Sequence, residues 1–130
     1  MANEAAVLAQ LTFARTAAPI IAGKSEGAAT PIQATVVGTT YIQSTMSVPT
    51  TAGGTAIPLG GVSPAGGLFC IKNLDPTNYV TILTAASGTA FLQILSGDPP
   101  AVGRFAPTVT APAALANTAP AEIEYLFLPA

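Results

Sequence analysis

The chain has 130 residues, enough for one domain with a real core. Charged residues make up 8%, about a third of the usual share, hydrophobic residues make up 50%, and the net charge is −2. The chain has no His, which removes the commonest general base and metal ligand; its four basic residues, Arg15, Lys24, Lys72 and Arg104, are too scattered for a nucleic-acid patch; and its single Cys70 rules out an internal disulfide or a thiolate metal cluster.

From the N-terminus, "MANEAAVLAQLTFAR" has Glu4 where a signal peptide needs positive charge, and Gln10 and Thr12 interrupt its apolar run. It reads as no signal peptide. Val7, Ala9, Leu11 and Phe13 alternate with Leu8, Gln10, Thr12 and Ala14, which predicts a first strand. Helix is the competitor here, since Ala, Leu and Glu favour it. Residues 16–30 read as a loop or arm. "PIQATVVGTTYIQSTMSV" predicts two strands, 31–37 and 40–48, broken near Gly38. Residues 49–66, "PTTAGGTAIPLGGVSPAG", read as a long connection with a short strand at 55–59; they carry too few large apolar groups to bury themselves. No charge falls between residues 27 and 71, but Pro31, Pro49, Pro58 and Pro64 cut this span into pieces, so no membrane helix is predicted.

"GLFCIK" and "YVTILTA" are the clearest strands, and the turn "NLDPTN" between them predicts a hairpin pairing 67–72 with 78–84. "AFLQIL" follows, then "SGDPP" as a sharp turn. "AVGRFAPTV" reads as a strand ended or placed at an edge by Pro107. "APAALAN" is a weak strand, and "AEIEYLFL" closes the chain, with Ile123, Tyr125 and Phe127 opposite Glu124, Leu126 and Leu128. About nine or ten short strands between Gly/Pro turns, with no long helical period, predict an all-β fold. The fold class expected is an antiparallel β-sandwich, jelly-roll-like, as one domain over residues 1–130. Phe13, Leu68, Ile71, Val80, Ile82, Phe91, Ile94, Phe105, Ile123, Tyr125 and Phe127 are the expected core.

Few residues could carry chemistry. In "NLDPTN", Asn73 and Asp75 can bond their own backbone and Pro76 presets φ, so turn chemistry accounts for every polar residue. The rival reading is a cation site of Asn73, Asp75 and Asn78. Calcium wants six to eight oxygens, and only one carboxylate is offered here. Glu122 and Glu124 share a strand face, and two carboxylates can do acid/base work; with no second catalytic residue type beside them, a solvated or interface face is the plainer reading. Cys70, between Phe69 and Ile71, reads as a buried inert thiol. The chain is expected not to be an enzyme. No catalytic, cofactor-binding or metal-binding residue is assigned, and no cofactor is expected.

One stretch carries a resemblance. "GGLFCIKNLDPTNYVTI" resembles a segment of small structural proteins encoded by tailed bacteriophages, with "LTFAR" at 11–15 similar to their opening strand and "EIEYLFL" at 122–128 to their closing one. "SGDPPAVGRF" matches loosely, with Asp98 and Arg104 standing in for an acidic turn residue and a strand Arg. The likeness lies mostly in residues 66–128. This chain is richer in Ala and Pro than the pattern and has an expanded connection before the segment.

The resemblance implies a virion structural protein, most readily a capsid decoration (cement) subunit. Its location would be the virion, assembled in the host cytoplasm, and its partner the major capsid protein or other virion proteins. Low charge and small side chains fit a homo-oligomer, with a homotrimer the first choice, and no nucleic-acid or membrane partner. Two alternatives stay open: a phage neck, tail or baseplate component, or a ligand-binding (carbohydrate) β-sandwich module. Three Tyr, five Phe and no Trp give the latter little aromatic platform.

Overall fold

The computed structural model describes residues 40–130 in full and, before them, the backbone of four strands. Those four are β1 (Asn3–Val7), β2 (Leu11–Phe13), β3 (Ile20–Ala22) and β4 (Ile32–Val36). They belong to a compact unit, Met1–Val37, in which β1 pairs antiparallel with β4 and β2 with β3. The predicted first strand is thus two strands, β1 starting earlier than expected, and β3 lies inside the stretch read as an arm. The expected burial of Phe13 lies outside the described residues.

The second unit, Gly38–Ala130, holds eight strands. They are β5 (Ile42–Val48), β6 (Thr55–Ala56), β7 (Leu68–Asn73), β8 (Val80–Leu83), β9 (Ala90–Ile94), β10 (Ala101–Arg104), β11 (Ala113–Ala116) and β12 (Ala121–Phe127). No helix occurs among the described residues. The strands form two antiparallel four-stranded sheets, ordered β10-β7-β12-β5 and β6-β11-β8-β9. First pairs with last (β5·β12), then β6·β11, β7·β10 and β8·β9, as in one long hairpin rolled up on itself. Rolling adds the contacts β7·β12 and β8·β11. This is the strand order of a jelly roll, and β8–β9 is the one connection that stays within a sheet.

The hairpin expected across "NLDPTN" is therefore corrected. β7 has both its edges occupied, by β10 and β12, so β8 cannot pair with it and lies in the other sheet. The turn is a corner between sheets.

The core follows the period-2 pattern most clearly in β12, where Ala121, Ile123, Tyr125 and Phe127 are buried while Glu122 and Glu124 are exposed. β7 buries Phe69, Ile71 and Asn73, so the expectation of a buried Leu68 is corrected to half-buried. Leu68 and Ile71 have opposite parity, and one strand cannot send both inward. Val80, Ile82, Ile94 and Phe105 are buried as expected. Rings stack through the centre: Phe105 lies 4.6 Å from Phe69 and 5.1 Å from Phe127, which lies 5.0 Å from Tyr125.

Phe91 is a second correction, being 43% exposed. β9 is an edge strand, and its register shifts so that Leu92 faces Ile82 and Ala90 faces Leu83, leaving Phe91 as the extra residue. Such a bulge re-aims a side chain. The Phe91 ring rests edge-on against Phe69 and Phe105, at 6.4 and 6.2 Å, and covers the open margin of the core.

The connection at 49–66 also differs from expectation. Only Thr55–Ala56 is strand, but Ile57 and Val62 are buried in the core, and the Tyr125 hydroxyl donates to the Pro58 carbonyl at 2.8 Å. Gly67 closes this loop: its N–H donates to Pro64 O, its carbonyl accepts from Phe105 N–H, and a Cβ there would run into the Leu128 carbonyl. β11 reads weakly because Ala113, Ala114 and Ala116 are all buried, so both faces are covered and no alternation shows.

Candidate functional site

The densest polar cluster of the second unit is the corner between β7 and β8. Asn73 ends β7 facing inward, 4% exposed. Its side-chain amide donates to Asn78 O at 2.7 Å and to Ile94 O at 3.1 Å, and its Oδ1 accepts from Asp75 N–H at 2.9 Å. Asp75 starts the next turn. Its Oδ1 accepts from Thr77 N–H at 2.8 Å and Asn78 N–H at 2.6 Å, with further donation from the Thr77 hydroxyl at 3.3 Å and the Asn78 amide at 3.2 Å. These are the Asx turns that the residue types predict. The Asn78 N–H first, then the Thr77 N–H, hold the Asp75 carboxyl below the ordinary carboxylate range.

The corner is also tied to its neighbour. Leu74 N–H donates to Glu122 O, and the Thr118 hydroxyl donates to Asn78 Oδ1 at 2.7 Å. Tyr79 N–H donates to Asn117 Oδ1 at 3.1 Å, and Asn117 N–H returns a bond to Tyr79 O. Asn117 and Thr118 form the β11–β12 turn and were not singled out from the sequence. The signal was there, since Asn-Thr-Ala-Pro after a strand is turn chemistry. The oxygens proposed for a cation, on Asn73, Asp75 and Asn78, thus each accept a hydrogen bond from the protein. Asn73 Oδ1 and Asp75 Oδ1 accept from donors of the turn itself, and Asn78 Oδ1 accepts from Thr118 of the neighbouring turn.

Glu122 and Glu124 share a face as expected and stand exposed on the outer side of their sheet. Glu124 sits between Lys72 on β7 and Thr45 on β5, and Glu122 lies opposite Ser47. Opposite charges directly across strands favour the pairing modestly. The site the structure gives Glu124 is a cross-strand surface row.

Cys70 differs from expectation. It is half-buried on the outer face of β7, between Val102 and Leu126. Burial, and secondly the charge of Glu124, push its thiol up, so it stays protonated and weakly nucleophilic at neutral pH. Burial likewise pushes the Tyr125 phenol up. In "SGDPP", Asp98 Oδ2 accepts from Leu95 N–H at 2.8 Å, which makes that stretch the turn expected. Arg104 donates to Gly66 O at 2.5 Å across to the long connection.

No group of three or more His, Cys, Asp or Glu residues that could hold a metal occurs among the described residues. No helix among them is long and apolar enough to cross a membrane. Comparison with protein-family models, with curated proteins and with solved structures returned no match.

Proposed function

We propose that the chain is a structural protein of a bacteriophage virion, a decoration subunit that stabilises a capsid through contacts with neighbouring subunits. The observation that supports this best is how its polar groups are used. The richest polar stretch, residues 73–79, spends its side chains on holding two sheets together at a corner. Little of that stretch is left to bind or transform a ligand, and the strands of the β6-β11-β8-β9 sheet carry no charged residue. A sandwich of two four-stranded sheets suits such work, because it offers a rigid body for packing.

The mechanism is burial. Apolar area removed from water at subunit junctions is worth roughly 25 cal/mol per Å² before association costs. A lattice of repeated sites makes modest contacts collectively tight. The partner would be the major capsid protein, and the oligomer a closed one, with a trimer the first choice.

The test is to add the purified protein to capsids that lack it. The reading expects those capsids to withstand heat or chelators better than undecorated ones. Unchanged capsid stability would remove the cement role and leave the neck, tail or baseplate reading to be tried on tails. Glycan binding would instead favour the ligand-binding module.

A further inference from the structure

Both aspartates of the chain precede a proline, in Asp75–Pro76 and Asp98–Pro99. Asp–Pro links are among the weakest peptide bonds in acid. The Asp carboxyl oxygen attacks its own main-chain carbonyl carbon and forms a cyclic anhydride. An attack within one residue is fast because the reacting groups are already together. The C–N bond to proline breaks, and the prolyl nitrogen, more basic than other peptide nitrogens, leaves protonated as an amine. Water then opens the anhydride, so the sum is hydrolysis of one peptide bond.

The fold sets the two bonds in different surroundings. The Asp75 carboxylate is bonded across its own scissile link: its Oδ1 accepts from the Thr77 and Asn78 N–H groups, both beyond Pro76, at 2.8 and 2.6 Å. To reach its own carbonyl it must give these up. The leaving side is tied too. Asn78 O accepts from the buried Asn73 amide at 2.7 Å, and Asn78 Oδ1 from the Thr118 hydroxyl at 2.7 Å. An amine held beside the anhydride it has just left closes the bond again before water can open it. Asp98 is held from behind instead. Its Oδ2 accepts from Leu95 N–H at 2.8 Å and its N–H donates to Leu95 O at 3.2 Å. Neither bond crosses to Pro99. Pro99 and Pro100 are exposed and have no N–H to tie them, and β10 after them is an edge strand. The remaining charges of residues 40–130 are placed elsewhere. Lys72, Glu122 and Glu124 are exposed on β7 and β12, and Arg104 donates to Gly66 O.

We infer that Asp98–Pro99 is a built-in acid nicking site of the folded chain, and that the β7–β8 corner protects Asp75–Pro76. The cut parts residues 1–98 from 99–130 without parting the strands. β10 stays paired with β7, β11 with β6 and β8, and β12 with β5 and β7. The nicked chain remains one body. What it loses is the link from β9, at the edge of one sheet, to β10, at the edge of the other. The inference goes beyond the capsid reading and does not rest on it.

The test is to incubate the full chain in warm mild acid, with and without guanidinium chloride, and to follow the fragments by intact-mass spectrometry. Without denaturant, the fragments 1–98 and 99–130 are expected to form at least about tenfold faster than 1–75 and 76–130. In guanidinium chloride, which removes the corner, the two bonds should cut at similar rates. Asp98→Glu lengthens the side chain and disfavours the cyclic anhydride, so it should abolish the first pair of fragments and leave the second unchanged. Gel filtration of the nicked protein at neutral pH should give one peak holding both fragments. Equal cutting at the two bonds without denaturant would overturn the inference, whether the corner fails to hold or the fold is lost in the acid. So would no cutting at Asp98–Pro99, or fragments that separate on gel filtration. A preference that persists unchanged in guanidinium chloride would overturn it too, since local sequence and not the fold would then set it.

Discussion

Asp75 acts through one carboxylate oxygen that gathers two backbone N–H groups and two side chains. Because those bonds hold its folded-state pKa low, its contribution to stability is present above the ordinary carboxylate range near about pH 4. It is lost as pH falls through the depressed folded value. Asp75→Ala should lower the melting temperature at pH 7, and the gap to wild type should close under acid. A gap that persists unchanged at low pH would mean the carboxylate charge is not what matters. Glu124 is the second cause of the raised Cys70 pKa. Glu124→Gln should therefore speed thiol alkylation at mildly alkaline pH, though only modestly, since burial is the larger cause. The outward, half-buried setting of Cys70 was not legible in the sequence: flanking apolar residues say that a strand is there, not which face each residue takes. Asp75 was legible, because Asn and Asp in a turn have few other uses.

At the scale of elements, the strands were easier to read than their partners. Alternation in "AEIEYLFL" marks the buried row of β12 with no reference to any other strand. Pairing is another matter. Adjacent segments joined by a short turn usually pair, and "NLDPTN" has the turn chemistry of a hairpin. What decides against it is that both edges of β7 are taken, one by β12 from the far end of the chain. That contact leaves no trace in local sequence. Phe91 was lost the same way, because a one-residue bulge is invisible to periodicity. Two consequences can be measured by chemical denaturation. Ile82→Ala and Ile123→Ala, both at fully buried positions on facing sheets, should each cost about 2–5 kcal/mol. A cost near zero at both would mean that the register is wrong. Asn73→Ala strands the buried Ile94 carbonyl and should cost about 1–3 kcal/mol, more than an exposed-turn substitution such as Thr77→Ala.

For the whole molecule, composition alone pointed to a surface that is partly covered. A chain with 8% charged residues has little to keep its outside wet. The fold sharpens this by placing charge on one sheet of the sandwich and none on the other. Counting charges along the sequence shows the gap from Asp75 to Asp98, but only the topology shows that β6 and β11 complete the same uncharged sheet. The role proposed for such a body is to be packed between other subunits, and co-sedimentation with capsids that lack it tests that proposal most directly. The account predicts saturable binding, with bound protein reaching a fixed ratio to the capsid subunits as its concentration rises. Protein that stays in the supernatant at every concentration would contradict it.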